Sequence, residues 1–294
     1  MRPGSVSAVC PGAKIEEAIG HDALRFVRCE ALLSAMRKII PVLVAASWAC
    51  QAAIPASADD SPLDTAYRTD RYERCVKRIE AKPDDAFEQA LIWQDDGGGG
   101  AAEHCAALAL LALNQPGEAA VRLDKLAREP ASGNARNRAV LMGQAGNAWL
   151  LAGVADKAEE TFAAALALAP EDIDLLVDRA RARAMRKNWS GAENDLSHAL
   201  RIDAKRPEIL VLRASARLAQ GAKADARSDI DAALAIDPFF PGALVERGSF
   251  KLEAGDVRGA RGDWTLVLSR APDSPAADSA RARIEQLEVG QGAP

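Results

Sequence analysis

The chain has 294 residues and a formal net charge of −5, with 49% hydrophobic residues and only 4% aromatic ones. That length can bury a sizeable core, and an alanine-rich, aromatic-poor composition suits closely packed helices, because Ala has the best helix propensity. No block of Lys or Arg builds the basic face that a nucleic-acid partner requires, so no nucleic-acid ligand is expected.

At the N-terminal end, Met36 is followed by Arg37-Lys38, an apolar run from Ile39 to Ala49, and Ala56-Ser57-Ala58 ahead of Asp59-Asp60. A basic start, an apolar stretch and a small-x-small site in that order predict an export signal over 36–58, cleaved after Ala58. The mature protein is then periplasmic or secreted, with no stable membrane span. The competing reading is an anchor through residues 39–58, which carry no charge. Pro41, Pro55 and Gln51 weigh against it, because a span wants about 20 strongly apolar residues. Residues 1–35 hold Glu16, Glu17, Asp22 and Glu30, which no export signal needs, and they read as an extension upstream of a start at Met36. Cleavage leaves Cys75 and Cys105 as the remaining cysteines. An even number in an oxidising compartment predicts a disulfide between them.

Residues 59–135 predict irregular helix pairs. Asp70 to Asp95 reads as one pair broken at Pro83, and Gly97 to Gly100 as a flexible joint. Leu108 to Glu129 reads as a second pair turning at Asn114-Gln115-Pro116-Gly117, with Ala119, Leu123 and Leu126 at packing positions. Residues 131–135 read as a small hinge. Asp95-Asp96 before the glycines lacks the Lys-Ser/Thr of a phosphate loop and the ligand spacing of a calcium loop. Cys75 with His104-Cys105 supplies three soft ligands where a structural zinc site wants four. Neither a metal nor a cofactor is expected.

From Ala139 the chain repeats every 34 residues, in blocks 139–172, 173–206, 207–240 and 241–274. Position 20 is Ala158, Ala192, Ala226 and Ala260, and position 24 is the larger Phe162, Leu196, Ile230 and Trp264. Position 8 is always small: Gly146, Ala180, Ala214 and Gly248. Position 15 is Gly153, Lys187, Gly221 and Gly255, and position 32 is Pro170, Ala204, Pro238 and Pro272. Apolar residues recur at helical spacing within each half-block, and Gly or Pro separates the halves. A single helical hairpin cannot bury its apolar face, whereas stacked hairpins can. The pattern resembles the tetratricopeptide repeat over residues 139–274. The resemblance implies an all-α fold: a right-handed α-solenoid of antiparallel helix pairs. Residues 275–294 follow as a C-terminal capping helix and tail, with Ile284 and Leu287 on the buried side.

Arg at position 7 and Asp at position 23 occur together in three blocks: Arg179/Asp195, Arg213/Asp229 and Arg247/Asp263. The first block has Ala145 and Thr161 instead. Joint presence and joint absence predict an ion pair between the two helices of each hairpin; the alternative is an arginine ladder for acidic ligands.

The resemblance also implies a concave groove lined by the first helices at positions 2, 5, 9, 12 and 13. Those positions give Asn147, Leu150 and Leu151, then Asp174, Val177, Arg181 and Met185. The third block gives Glu208, Val211, Ser215 and Leu218, and the fourth Val245, Ser249, Leu252 and Glu253. Co-chaperone members of the family hold a C-terminal carboxylate with Lys and Asn. This chain has a fitting Asn147 but offers Gly143 for a Lys and Asp178 for an Asn, so the clamp is incomplete and an extended or helical peptide segment fits better. No nucleophile elbow or His-Glu-x-x-His motif occurs, and an enzyme is not expected. The sequence therefore predicts a protein-binding adaptor of the cell envelope, with a complex subunit packing by its convex face as the alternative and an exported hydrolase as a distant third.

Overall fold

The computed structural model describes residues 69–129 and 133–291. Both the predicted export signal, residues 36–58, and the extension 1–35 lie outside them, as do residues 131 and 132 of the predicted hinge. Among the described residues the chain forms thirteen α-helices and no strand. In chain order they are α1 (Asp70–Ala81), α2 (Pro83–Asp95), α3 (Gly99–Ala112), α4 (Pro116–Arg128), α5 (Ala135–Leu151), α6 (Ala155–Leu168) and α7 (Ile173–Met185). They continue as α8 (Trp189–Ile202), α9 (Pro207–Ala219), α10 (Lys223–Ile236), α11 (Pro241–Glu253), α12 (Val257–Arg270) and α13 (Pro275–Gln291). Each helix packs chiefly on its neighbours in sequence, which makes the architecture an all-α solenoid of helix pairs.

The turns explain the pairing. Each first helix of the regular blocks ends where an N–H bonds a carbonyl five residues back: Val154 to Trp149, Asn188 to Arg183, Ala222 to Arg217 and Asp256 to Lys251. That closure needs a left-handed residue at position 15, and Gly153, Gly221 and Gly255 have φ of 74°, 80° and 83°. Lys187 takes the same conformation without being glycine, at φ 60°. The second helices end at position 30, two residues before the position that Pro holds in three of the four blocks.

Packing across each hairpin trades volume between positions 8 and 24. A Cβ on Gly146 would stand 2.6 Å from the Phe162 ring, and one on Gly248 would overlap the Trp264 indole. Where the partner is the smaller Leu196 or Ile230, Ala180 or Ala214 faces it. The Trp264 indole N–H donates to the Val245 carbonyl at 3.1 Å, so the buried ring leaves no polar atom unpaired. One apolar cluster runs unbroken from Ala107 to Ala280, and Ile284 and Leu287 of α13 pack against it. A smaller cluster at the N-terminal end holds Tyr72, Cys75, Trp93 and Cys105.

Two expectations for this end are corrected. Gly97 to Gly100 are not a free joint: Gly99 and Gly100 open α3, and a Cβ on Gly98 would overlap the Trp93 indole. The second pair also begins earlier than Leu108: α3 starts at Gly99, and Ala101, Ala102, Ala106, Ala107 and Ala109 along it are fully buried.

Candidate functional site

The first helices α5, α7, α9 and α11 carry the predicted groove residues. Four of these are not surface lining: Leu150, Val177, Val211 and Val245 are 0–7% exposed and belong to the continuous core. Neighbouring first helices touch, and position 5 faces that seam. A Cβ on Gly143, the position-5 residue of α5, would lie 2.9 Å from Leu175 at position 3 of α7. The β-branched valines that follow at position 5 fill the same seam one repeat further on.

What remains accessible is a line of half-buried aliphatic side chains at positions 12 and 13: Leu151, Met185, Leu218 and Leu252. Asp174, Glu208 and Glu253 stand around it with side chains 89%, 43% and 57% exposed. The polar donors between them are already engaged. Ser215 and Ser249 donate to the carbonyls of Val211 and Val245, four residues back on their own helices, at 3.1 and 3.0 Å. Asn147 donates to Asp178 at 2.9 Å, and Arg181 donates to the other oxygen of the same carboxylate at 2.6 Å. Burial pushes the Asp178 carboxyl above its usual range, against the pull of Arg181 and Asn147. Arg206 at the groove edge is bonded to Glu208 and lies 4.0 Å from Asp174. An incoming carboxylate therefore meets amide and guanidinium groups that already serve carboxylates of this chain.

The Arg and Asp of positions 7 and 23 lie in contact across each hairpin. Arg179 reaches Asp195, Arg213 reaches Asp229 and Arg247 reaches Asp263, each through Nε and a terminal nitrogen at 2.7–3.0 Å. Sequence reasoning missed that each of these buried aspartates holds a second cation, from position 11: Arg183, Arg217 and Lys251, each at 2.8 Å. It also missed that Arg183 and Arg217 reach back to Glu159 and Glu193 of the preceding repeat. The signal was present as Arg, Arg, Lys at position 11 and Glu, Glu at position 21, but the first series begins only at the second block and the second stops there, so the two do not vary together. These networks lie at the ends of the helix pairs near the turns.

His104 also has a role that spacing does not reveal. It is fully buried, with Nδ1 2.7 Å from the Tyr72 hydroxyl and Nε2 2.7 Å from Oε1 of Gln144. The amide oxygen accepts, so Nε2 carries the proton and Nδ1 accepts from Tyr72. The chain Tyr72–His104–Gln144 joins α1, α3 and α5. Cys75 on α1 and Cys105 on α3 stand beside it with Cα atoms 6.3 Å apart and their sulfurs at bonding distance. Among the described residues no group of His, Cys, Asp and Glu is placed to hold a metal ion, and no helix is long and apolar enough to cross a membrane.

No protein-family model matches the chain, and no curated protein does. Among solved structures it is similar to PilF of Pseudomonas aeruginosa, at 13% identity over 72% of this chain and 96% of that one, with a TM-score of 0.54. It is similar also to MamA of Desulfovibrio magneticus RS-1, at 19% identity over 60% and 97% of the two chains, with a TM-score of 0.51. YrrB, described as a TPR protein with an unusual peptide-binding site, aligns at 19% identity over 67% and 98%, with a TM-score of 0.47. Helix pairs stacked on a 34-residue period, with the likeness to the PilF and MamA structures, give the chain the fold of a tetratricopeptide-repeat protein.

Proposed function

We propose that the protein is a non-catalytic interaction scaffold whose groove holds an extended or helical segment of a partner protein. The observation that carries this reading is the aliphatic line Leu151, Met185, Leu218 and Leu252, continued across four repeats on a face whose serines, asparagine and arginine are already hydrogen-bonded. Such a face recognises apolar side chains and offers little to a terminal carboxylate. The export signal read in the sequence over 36–58 supports a cell-envelope location, and a Cys75–Cys105 disulfide fits an oxidising compartment of that kind. Purified chain carrying Leu218→Glu and Leu252→Glu, used as bait in an envelope extract, tests the groove. Loss of the partner captured by the wild type, at unchanged melting temperature, is expected. Capture that survives these changes but is lost with Ala232→Glu, on the exposed face of α10, would transfer the contact to the convex side.

A further inference from the structure

The ionic layers of the solenoid are not all alike. In the first, Arg183 holds Asp195 of its own repeat and Glu159 of the repeat before, and Arg186 also bonds Glu159. In the second, Arg217 holds Asp229 and Glu193, and Gln220 donates to Glu193 at 2.8 Å. In both, a carboxylate from the preceding second helix closes the layer and offsets its cations. The third layer lacks that carboxylate. The residue equivalent to Glu159 and Glu193 is Arg227, and the residue equivalent to Arg186 and Gln220 is Ala254. Lys251 holds Asp263 at 2.8 Å, and no second acid bonds it among the described residues. Arg227 lies over the Phe250 ring, 5.2 Å from its centre, and donates to the Phe250 carbonyl at 3.5 Å. Arg247 and Lys251 thus share the one buried carboxylate of Asp263, with Arg227 held against Phe250, the residue before Lys251, and Asp231 acting on Arg247 only through space. The layer is also more open: Arg247 and Lys251 are 36% and 31% exposed, against 18% for both Arg213 and Arg217.

We propose that this third layer is an anion-binding site that takes an Asp or Glu side chain of a partner protein, seated where Glu159 and Glu193 sit in the two layers before it. The molecule itself supplies the template: twice, at equivalent places, the cation at position 11 shares itself between its own aspartate and a carboxylate from outside its repeat. Uncompensated cations at the third place attract the same group, and a half-exposed site makes the attraction stronger than in bulk water. The small Ala254 leaves the room that Arg186 and Gln220 fill elsewhere. The site lies near the turn ends of the helix pairs, outside the groove, and stands independently of the groove reading.

The test uses the full chain and a hexaglutamate peptide, titrated at constant ionic strength and followed by melting temperature and by amide shifts of α10 and α11. Wild type is expected to bind and to rise in melting temperature. Arg227→Glu supplies the absent carboxylate within the chain, so it is expected to melt higher without peptide and to lose peptide binding at least tenfold. Arg227→Gln, which removes the cation without closing the layer, is expected to weaken binding severalfold and keeps the test decisive should the first variant misfold. Leu218→Glu in the groove is expected to leave hexaglutamate binding unchanged. Wild-type affinity in both Arg227 variants, or loss of binding with Leu218→Glu, overturns the site. Inorganic phosphate binding as tightly as the peptide overturns its assignment to a protein carboxylate.

Discussion

His104 sits fully buried, and burial pulls its imidazole down to about 4 from 6.5, with the Gln144 hydrogen bond opposing the shift. The sign follows from which state holds the proton. Below pH 6.5 the unfolded chain protonates this residue while the folded chain does not, so stability is complete above that value and is lost as the pH falls toward 4. Opening of α1–α3, read by hydrogen exchange corrected for intrinsic rates, should become easier by about 2.5 kcal/mol between pH 7 and pH 4.5 in the wild type. His104→Gln keeps a donor for Gln144 and should remove most of that slope. Asp263, Glu159 and Glu193 are held by their basic partners below the usual carboxylate range against the cost of burial, so they stay charged through most of this window. Asp178, pushed up by burial, works in the opposite direction but equally in both proteins. An equal slope in wild type and variant would deny His104 this role. Nothing in the sequence reveals it: Tyr72 and Gln144 lie 32 and 40 residues away from His104, on helices that only the solenoid brings together.

At the scale of the helix pair, the repeat makes much of the fold legible. Small residues at position 8, large ones at 24 and a left-handed residue at 15 each answer a local demand, and four copies let the demand be seen. The groove was less legible. Position 5 looks like lining when one repeat is considered alone, but Val177, Val211 and Val245 are taken up by the seam between first helices, a contact between repeats. The ionic layers were half legible for the same reason. The pairs at positions 7 and 23 lie within a repeat and vary together, whereas the links from position 11 to position 21 cross between repeats. The aspartates are where these links converge. Asp229 is 3% exposed and holds both Arg213 and Arg217, so Asp229→Ala strands Arg213 in a largely buried place and leaves Arg217 with Glu193 alone. It should destabilise α9 and α10 by roughly 3 kcal/mol, read from denaturant unfolding. Adding Arg213→Leu should recover part of the loss, because one stranded charge is then gone. An unchanged midpoint in the single variant would make the layer a surface contact of little weight.

Across the whole molecule, stability is spread along one dimension, because each pair leans on its neighbours and little else. The regular pairs and α13 share one continuous core, but α1 and much of α2 and α3 belong to the separate small cluster. The N-terminal end therefore has the least apolar packing to hold it, and the covalent link falls there. Cys75 and Cys105 lie 30 residues apart in sequence on α1 and α3, which touch, and their Cα spacing of 6.3 Å is within the range a disulfide bridges. Closing a loop of that length stabilises by about 3.5 kcal/mol in the chain-entropy model. Thiol titration of protein isolated from its native compartment, denatured without reductant, should find neither cysteine free. Reductant should then raise the protease sensitivity of α1 and α2 while α5 to α12 stay protected, since the long core does not depend on the link. Two free thiols in the native protein would end the disulfide and with it the strongest chemical argument for an oxidising compartment. Loss of protection along the entire solenoid on reduction would show instead that the two clusters unfold as one unit.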